Sequence, residues 1–252
     1  MLKEGRCEMM AFPIRTMGRG LLAALVIWAS AALPGSAQDR VVVVELYTSQ
    51  GCSACPPADS LLSELADRPG VVALALHVDY WDYIGWKDIF ARPAHTERQK
   101  SYAYAKGKSM VYTPQIVIDG TDHIVGSKPM QVADLIAAHA ERITGVELSA
   151  EREGTSLRVS ARAAPGVRGP MAIYLVRYTP RAEVEIDRGE NAGRRLAYSN
   201  IVTEFHEIAR WSGETDLAIR AEIAGDARVA VLVQEIVGHD GPGPMRAAVA
   251  VE

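Results

Sequence analysis

The chain has 252 residues, 48% hydrophobic and 23% charged, with a formal net charge of −4. That length can bury one large core or two smaller ones, and the composition is ordinary for a globular protein. The acidic balance gives no reason to expect nucleic acid or an anionic membrane as a main partner.

The first 37 residues read as a leader. Arg15 and Arg19 precede the apolar run LLAALVIWASAAL, Leu21 to Leu33, and the small residues of PGSA end at Ala37. This is the charged, apolar and small-residue order of a secretory signal peptide. The run is shorter than the ~20 residues a membrane-spanning helix needs. Cleavage after Ala37 is therefore expected, leaving no stable membrane span and an exported protein, periplasmic or extracellular. The long charged extension before Leu21 leaves Met10 and Met17 as alternative starts. Cleavage also removes Cys7, so the mature chain keeps only Cys52 and Cys55, in a compartment where disulfides persist.

From residue 41 strand and helix signals alternate. VVVVELYT is a continuous apolar run, as expected of a strand covered on both faces. CSACPPADSLLSELAD follows, with Pro57 near a helix start and Leu61, Leu62 and Leu65 on one face. VVALALHVDY, Val71 to Tyr80, is a second buried strand, and the aromatic loop WDYIGW leads to a polar helix around His95 to Ala105. YTPQIVIDG reads as a third strand, His123 to Val125 as a short fourth, and PMQVADLIAAHAERI as a helix closed by Gly145. Beyond Val146 the period becomes two. TSLRVSARA, MAIYLVRYT, RVAVLVQEIV and PMRAAVAVE alternate between turn clusters, which predicts an all-β, sandwich-like domain of seven or eight strands over 146–252.

Cys52 and Cys55 stand three residues apart at the first strand-to-helix turn. A disulfide there closes so short a loop that it removes only about 2 kcal/mol of chain entropy, so it is a weak staple for a domain with its own core. Redox chemistry is the leading reading, with Cys52 at the helix N-terminus where the dipole favours a thiolate. An inert crosslink and a metal site are the alternatives; a structural zinc site normally has four ligands, and no second cysteine pair exists.

With this motif in place, the order of elements over 38–145 resembles the thioredoxin fold. That resemblance implies a cis Thr113–Pro114 bond lying against the Cys-x-x-Cys turn and presenting backbone to a bound peptide. The segments VELYTSQGCSACPPAD, HVDYWDYIGWKD, YTPQIVIDG and RGENAGRRL together resemble a bacterial secreted, thioredoxin-like family known as domain of unknown function 1223. Thioredoxins carry a strand acid that accepts a proton from the second cysteine. Glu45 is the matching residue, although its spacing to Cys52 is one residue longer; a glutamate facing solvent or paired with a base is the other reading. The expected architecture is thus a thioredoxin-like α/β domain over 38–145 followed by a separate all-β domain.

Trp81, Tyr83 and Trp86 of WDYIGW could wall a groove for an apolar or peptide substrate, or pack as a connecting loop. His77, near the end of the second strand, is read as a core histidine before a copper or zinc ligand. DRGENAGRRL, Asp187 to Leu196, is a tight charged hairpin, or an anion site using Arg188, Arg194 and Arg195. No Ser-His-Asp spacing or phosphate-binding glycine loop suggests hydrolysis or nucleotide binding. The expected function is thiol-disulfide exchange on exported proteins or small-molecule disulfides and thiols. Cys52 would attack and Cys55 resolve, with no cofactor, no metal and an unassigned electron donor or acceptor. A copper-handling protein and a binding module without catalysis are the rivals.

Overall fold

The computed structural model describes residues 40–223 and 225–251; the leader expected before Gln38 lies outside them. In chain order the elements are β1 (Val42–Thr48), α1 (Pro56–Ala66), β2 (Val71–His77), a 3-10 turn (Asp82–Ile84), α2 (Pro93–Ala105), β3 (Gln115–Ile118), β4 (Asp122–Val125) and α3 (Pro129–Ala140). There follow β5 (Val146–Glu153), β6 (Ser156–Ala163), β7 (Met171–Ile186), β8 (Arg194–Trp211), β9 (Leu217–Glu222), β10 (Arg228–Val237) and β11 (Gly241–Val251).

One mixed sheet runs through both halves of the chain. Its eight described strands stand in the order β11-β10-β7-β8-β2-β1-β3-β4, beside a three-stranded sheet, β5-β6-β9. β1 lies parallel to β2 and antiparallel to β3. β8 then joins β2 in parallel where Ile201 pairs with Ala75. Asn200, at φ 48°, turns its side chain to donate from Nδ2 to the Ala73 carbonyl at 2.9 Å.

This corrects the expected architecture. A thioredoxin-like α/β domain and a separate β-sandwich do not exist here. The molecule is mostly β, and β7, β8, β10 and β11 extend the sheet begun by β1 and β2, so strands expected in a separate domain share one sheet with the first half of the chain. Period-two alternation is equally suited to both arrangements, because it fixes which face a side chain takes and not which strand lies beside it.

The continuous apolar run of β1 is explained by cover on both faces. Val42, Val44 and Leu46 pack with Ala58, Leu62 and Leu65 of α1 and with Val132 and Ile136 of α3. Val43 and Tyr47 pack on the other face with Tyr102 of α2, Leu232 of β10 and Met245 of β11. In β10 the alternation continues: Ala230 and Leu232 join that core, while Val229, Val231 and Val233 face a third one, shared with Leu157 and Val159 of β6. Among the described residues no helix is long and apolar enough to cross a membrane.

Candidate functional site

The loop from Ser49 to Cys55 joins β1 to α1. Cys52 N–H donates to the Ser49 carbonyl at 3.1 Å and Cys55 N–H to the Cys52 carbonyl at 3.2 Å. Cys52 and Cys55 are joined as a disulfide with their Cα atoms 5.4 Å apart. Cys55 is the N-cap of α1 and the helix opens with Pro56 and Pro57. Cys52 therefore sits in a turn ahead of the helix, not at its N-terminus. It is 1% exposed and Cys55 is 0% exposed, while Ser53 and Ala54 between them are exposed.

The cysteine loop is also contacted from far along the chain. β7 and β8 pair from Met171–Trp211 to Ile186–Arg194, and the turn between them reaches the cysteine loop. Asn191, 1% exposed, donates from Nδ2 to the Gln50 carbonyl at 2.9 Å and the Cys52 carbonyl at 3.0 Å. Glu190 Oε2 accepts from the Ser53 hydroxyl at 2.6 Å and the Ser53 N–H at 3.2 Å. Gly189 has φ +80°, and a Cβ there would sit 3.3 Å from Trp86 Cβ, so a side chain would strain the turn where it meets the aromatic loop. The charged hairpin is present, and two of its three arginines are engaged: Arg194 donates to Asn191 Oδ1 at 2.9 Å and Arg195 to Glu183 at 2.7 Å.

The aromatic loop braces the same region. Trp81 Nε1 donates to Thr113 Oγ1 and Trp86 Nε1 to Gln50 Oε1, both at 2.8 Å. Trp86 also packs with Phe90 against Ile186, Leu196 and Tyr198 at the base of the hairpin. Of the three expected groove residues, Trp81 and Trp86 are partly buried struts and Tyr83 is 83% exposed. The Thr113–Pro114 bond is cis. Pro114 lies beside α1: a Cβ on Gly126 would stand 3.2 Å from Pro114 Cβ and 2.8 Å from Ala58 Cβ.

Glu45 is not among these groups. It shares with Val43 and Tyr47 the sheet face away from α1. There Arg98 donates to Oε1 at 2.7 Å and Tyr102 to Oε2 at 2.6 Å. Arg98 in turn lies over the Phe205 ring at 4.0 Å and donates to Gln234 at 2.9 Å. This carboxylate forms a buried ion pair on the sheet face away from α1.

A different acid lies on the cysteine side. Asp59, one turn into α1, is buried and accepts from Thr48 Oγ1 at 2.7 Å. Burial pushes its pKa up to about 7, against the opposing pull of His77 and the Thr48 hydroxyl. His77 Nδ1 lies 2.7 Å from Asp88 Oδ2, and the ring meets those of Tyr198 and Phe90 edge to face. Asp88 also accepts from the Gln50 N–H at 2.8 Å. Burial acts to raise the Asp88 pKa, but His77 and the N–H groups of Gln50 and Phe90 prevail and it lies below the usual value. His77 Nε2, Tyr198 OH and Gln50 Nε2 are buried without a protein hydrogen-bond partner. His77 is thus a core histidine bound to an aspartate. Sequence reasoning missed Asp59, Asp88, Glu190 and Asn191. An acid in a first helical turn is commonplace, and the target of a hairpin tip is not written in the tip.

The family profile described as "Protein of unknown function (DUF1223)" matches residues 43–234. The crystal structure of protein AGR_C_4864 from Agrobacterium tumefaciens is 30% identical, with a TM-score of 0.74, covering 85% of this chain and 96% of that one. HBP35 of Porphyromonas gingivalis is similar in fold alone, at 12% identity and a TM-score of 0.62, over 84% of this chain and 75% of that one. A search of curated proteins finds no match. The chain belongs to the DUF1223 family of proteins of unknown function.

Proposed function

We propose that this protein is an exported thiol-disulfide oxidoreductase working through the Cys52/Cys55 couple. Its substrates are disulfides or thiols of other exported proteins or of small molecules. The observation that carries the reading is the disposition of the pair. Its ring is too short to staple a fold that already has continuous cores on both sheet faces. Yet the chain extends a long hairpin whose tip bonds to that ring. Support also comes from the leader-like N-terminus.

The steps balance in either direction. The Cys52 thiolate attacks one sulfur of a substrate disulfide; a Cys52–substrate bond forms, the substrate S–S bond breaks, and the departing thiolate takes a proton. Cys55 loses its proton and attacks Cys52 Sγ, which forms the internal disulfide and releases the second substrate thiolate. Two electrons pass from the dithiol to the substrate. In reverse, a substrate dithiol is oxidised and the pair reduced. The copper reading gains nothing: among the described residues no three His, Cys, Asp or Glu side chains group to hold a metal, and Nδ1 of His77 is engaged with Asp88.

Equilibration of the folded protein with mixtures of reduced and oxidised glutathione, followed by acid quenching, alkylation and intact mass, tests the proposal. One reversible transition of the pair with the fold retained is expected. A disulfide that opens only when the protein unfolds would leave a structural crosslink instead.

A further inference from the structure

Several of the backbone donors around Cys52 are absent or engaged. Pro56 and Pro57, the first residues of α1, have no N–H. The N–H groups of Ala58 and Asp59 go to the Cys55 carbonyl, and that of Cys55 goes to the Cys52 carbonyl. Ser53, the residue beside Cys52, offers an N–H and a hydroxyl, and both are held by Glu190.

Those bonds favour the ionised form of Glu190: the Ser53 hydroxyl first, and its N–H second, hold the carboxyl below the usual glutamate range. A carboxylate therefore holds both the N–H and the hydroxyl of the residue that follows Cys52. A like charge held on the neighbouring residue disfavours a second anion. The same contact fastens the hairpin tip over a cysteine that is 1% exposed, through a turn 137 residues away in sequence.

Resting on the thiol-disulfide reading above, we propose that Glu190 is a latch on the couple, a positioning residue that acts on Cys52 through Ser53. Clasped, it keeps the β7–β8 tip shut and the reduced Cys52 sulfur protonated. When a substrate lifts the tip, the carboxylate leaves with it, the Ser53 N–H and hydroxyl turn to the sulfur, and the Cys52 proton passes to solvent. The thiolate is then both uncovered and stabilised for the first attack. Asn191, held by its two carbonyl contacts, sets the position from which the tip opens.

The test uses the full chain reduced with dithiothreitol, as wild type, Glu190→Gln and Glu190→Ala. Iodoacetamide rates are followed across pH, with Cys52 and Cys55 read separately by peptide mass spectrometry. Glu190→Gln keeps an oxygen to accept from Ser53 and removes the charge. It is expected to move the Cys52 profile to lower pH and raise its rate near neutrality about 3- to 10-fold, one pKa unit being tenfold, with the Cys55 profile unmoved. Glu190→Ala should give at least that shift. If Glu190→Gln superimposes on wild type while the wild-type pair cycles, the latch fails and the oxidoreductase reading stands. If the wild-type disulfide cannot be reduced in the folded protein, both fail.

Discussion

Asn191 Nδ2 donates to the carbonyl oxygen of Cys52 at 3.0 Å, joining two residues 139 positions apart. Through this bond, and its companion to Gln50, the second half of the chain reaches the one disulfide found among the described residues. The eight-stranded sheet makes that reach possible: with β8 beside β2, the hairpin rises past α1, where Ser199 Oγ donates to Ser63 Oγ at 3.0 Å.

Asn191→Ala removes both bonds and leaves two buried carbonyls without that donor. The expected cost is about 1–3 kcal/mol, read as a lower midpoint in urea. Cleavage by a protease within residues 187–193 should rise at the same time. A midpoint and cleavage rate equal to wild type would mean that the tip is not held by Asn191.

The Glu45–Arg98 pair gives a prediction of opposite kind. Arg98→Met leaves a carboxylate buried and poorly compensated, at about 3–5 kcal/mol. The double variant Glu45→Leu, Arg98→Met should recover most of that loss in thermal or urea unfolding. Because the pair lies on the sheet face away from α1, the double variant should keep the wild-type pH profile of Cys55 alkylation. A profile displaced by Glu45 replacement would restore Glu45 as a proton acceptor.

Asp59 should make stability depend on pH in a definite direction. Its folded pKa, about 7, is raised from 3.8. The folded state therefore holds the proton longer than the unfolded state, and the stabilisation is fully present below 3.8 and lost as pH rises through about 7. Asp59→Asn keeps an acceptor for Thr48 and cannot ionise. Urea unfolding from acid to mildly alkaline pH should find Asp59→Asn gaining on wild type as pH rises. The comparison isolates Asp59 from His95 and His123, whose pKa values burial lowers to about 4 and which cost stability as pH falls below 6.5. A constant difference across that range would contradict a raised Asp59 pKa.

Legibility in the sequence followed distance. VVVVELYT, VVALALH and the helix after the cysteines are visible because each is specified within its own few residues. The hairpin at DRGENAGRRL is visible for the same reason. The pairing of Ala75 with Ile201 is not, since period two fixes a strand's faces but not its neighbour, and the expected two-domain division failed there. Glu45 was ambiguous because its partner Arg98 lies 53 residues on. The bond from Asn191 to Cys52 is not legible, because its donor belongs to the far hairpin.

If Cys52 exchanges disulfides with other molecules, its mixed disulfide can be trapped. Cys55→Ser leaves Cys52 able to attack and removes the neighbour that would resolve the product from three residues away. Expressed in the native host and analysed on non-reducing gels with peptide mass spectrometry, Cys55→Ser should accumulate dithiothreitol-sensitive adducts at Cys52 with other exported proteins. The double variant Cys52→Ser, Cys55→Ser should form none. A folded Cys55→Ser protein with no adducts beyond those of the double variant would contradict the account.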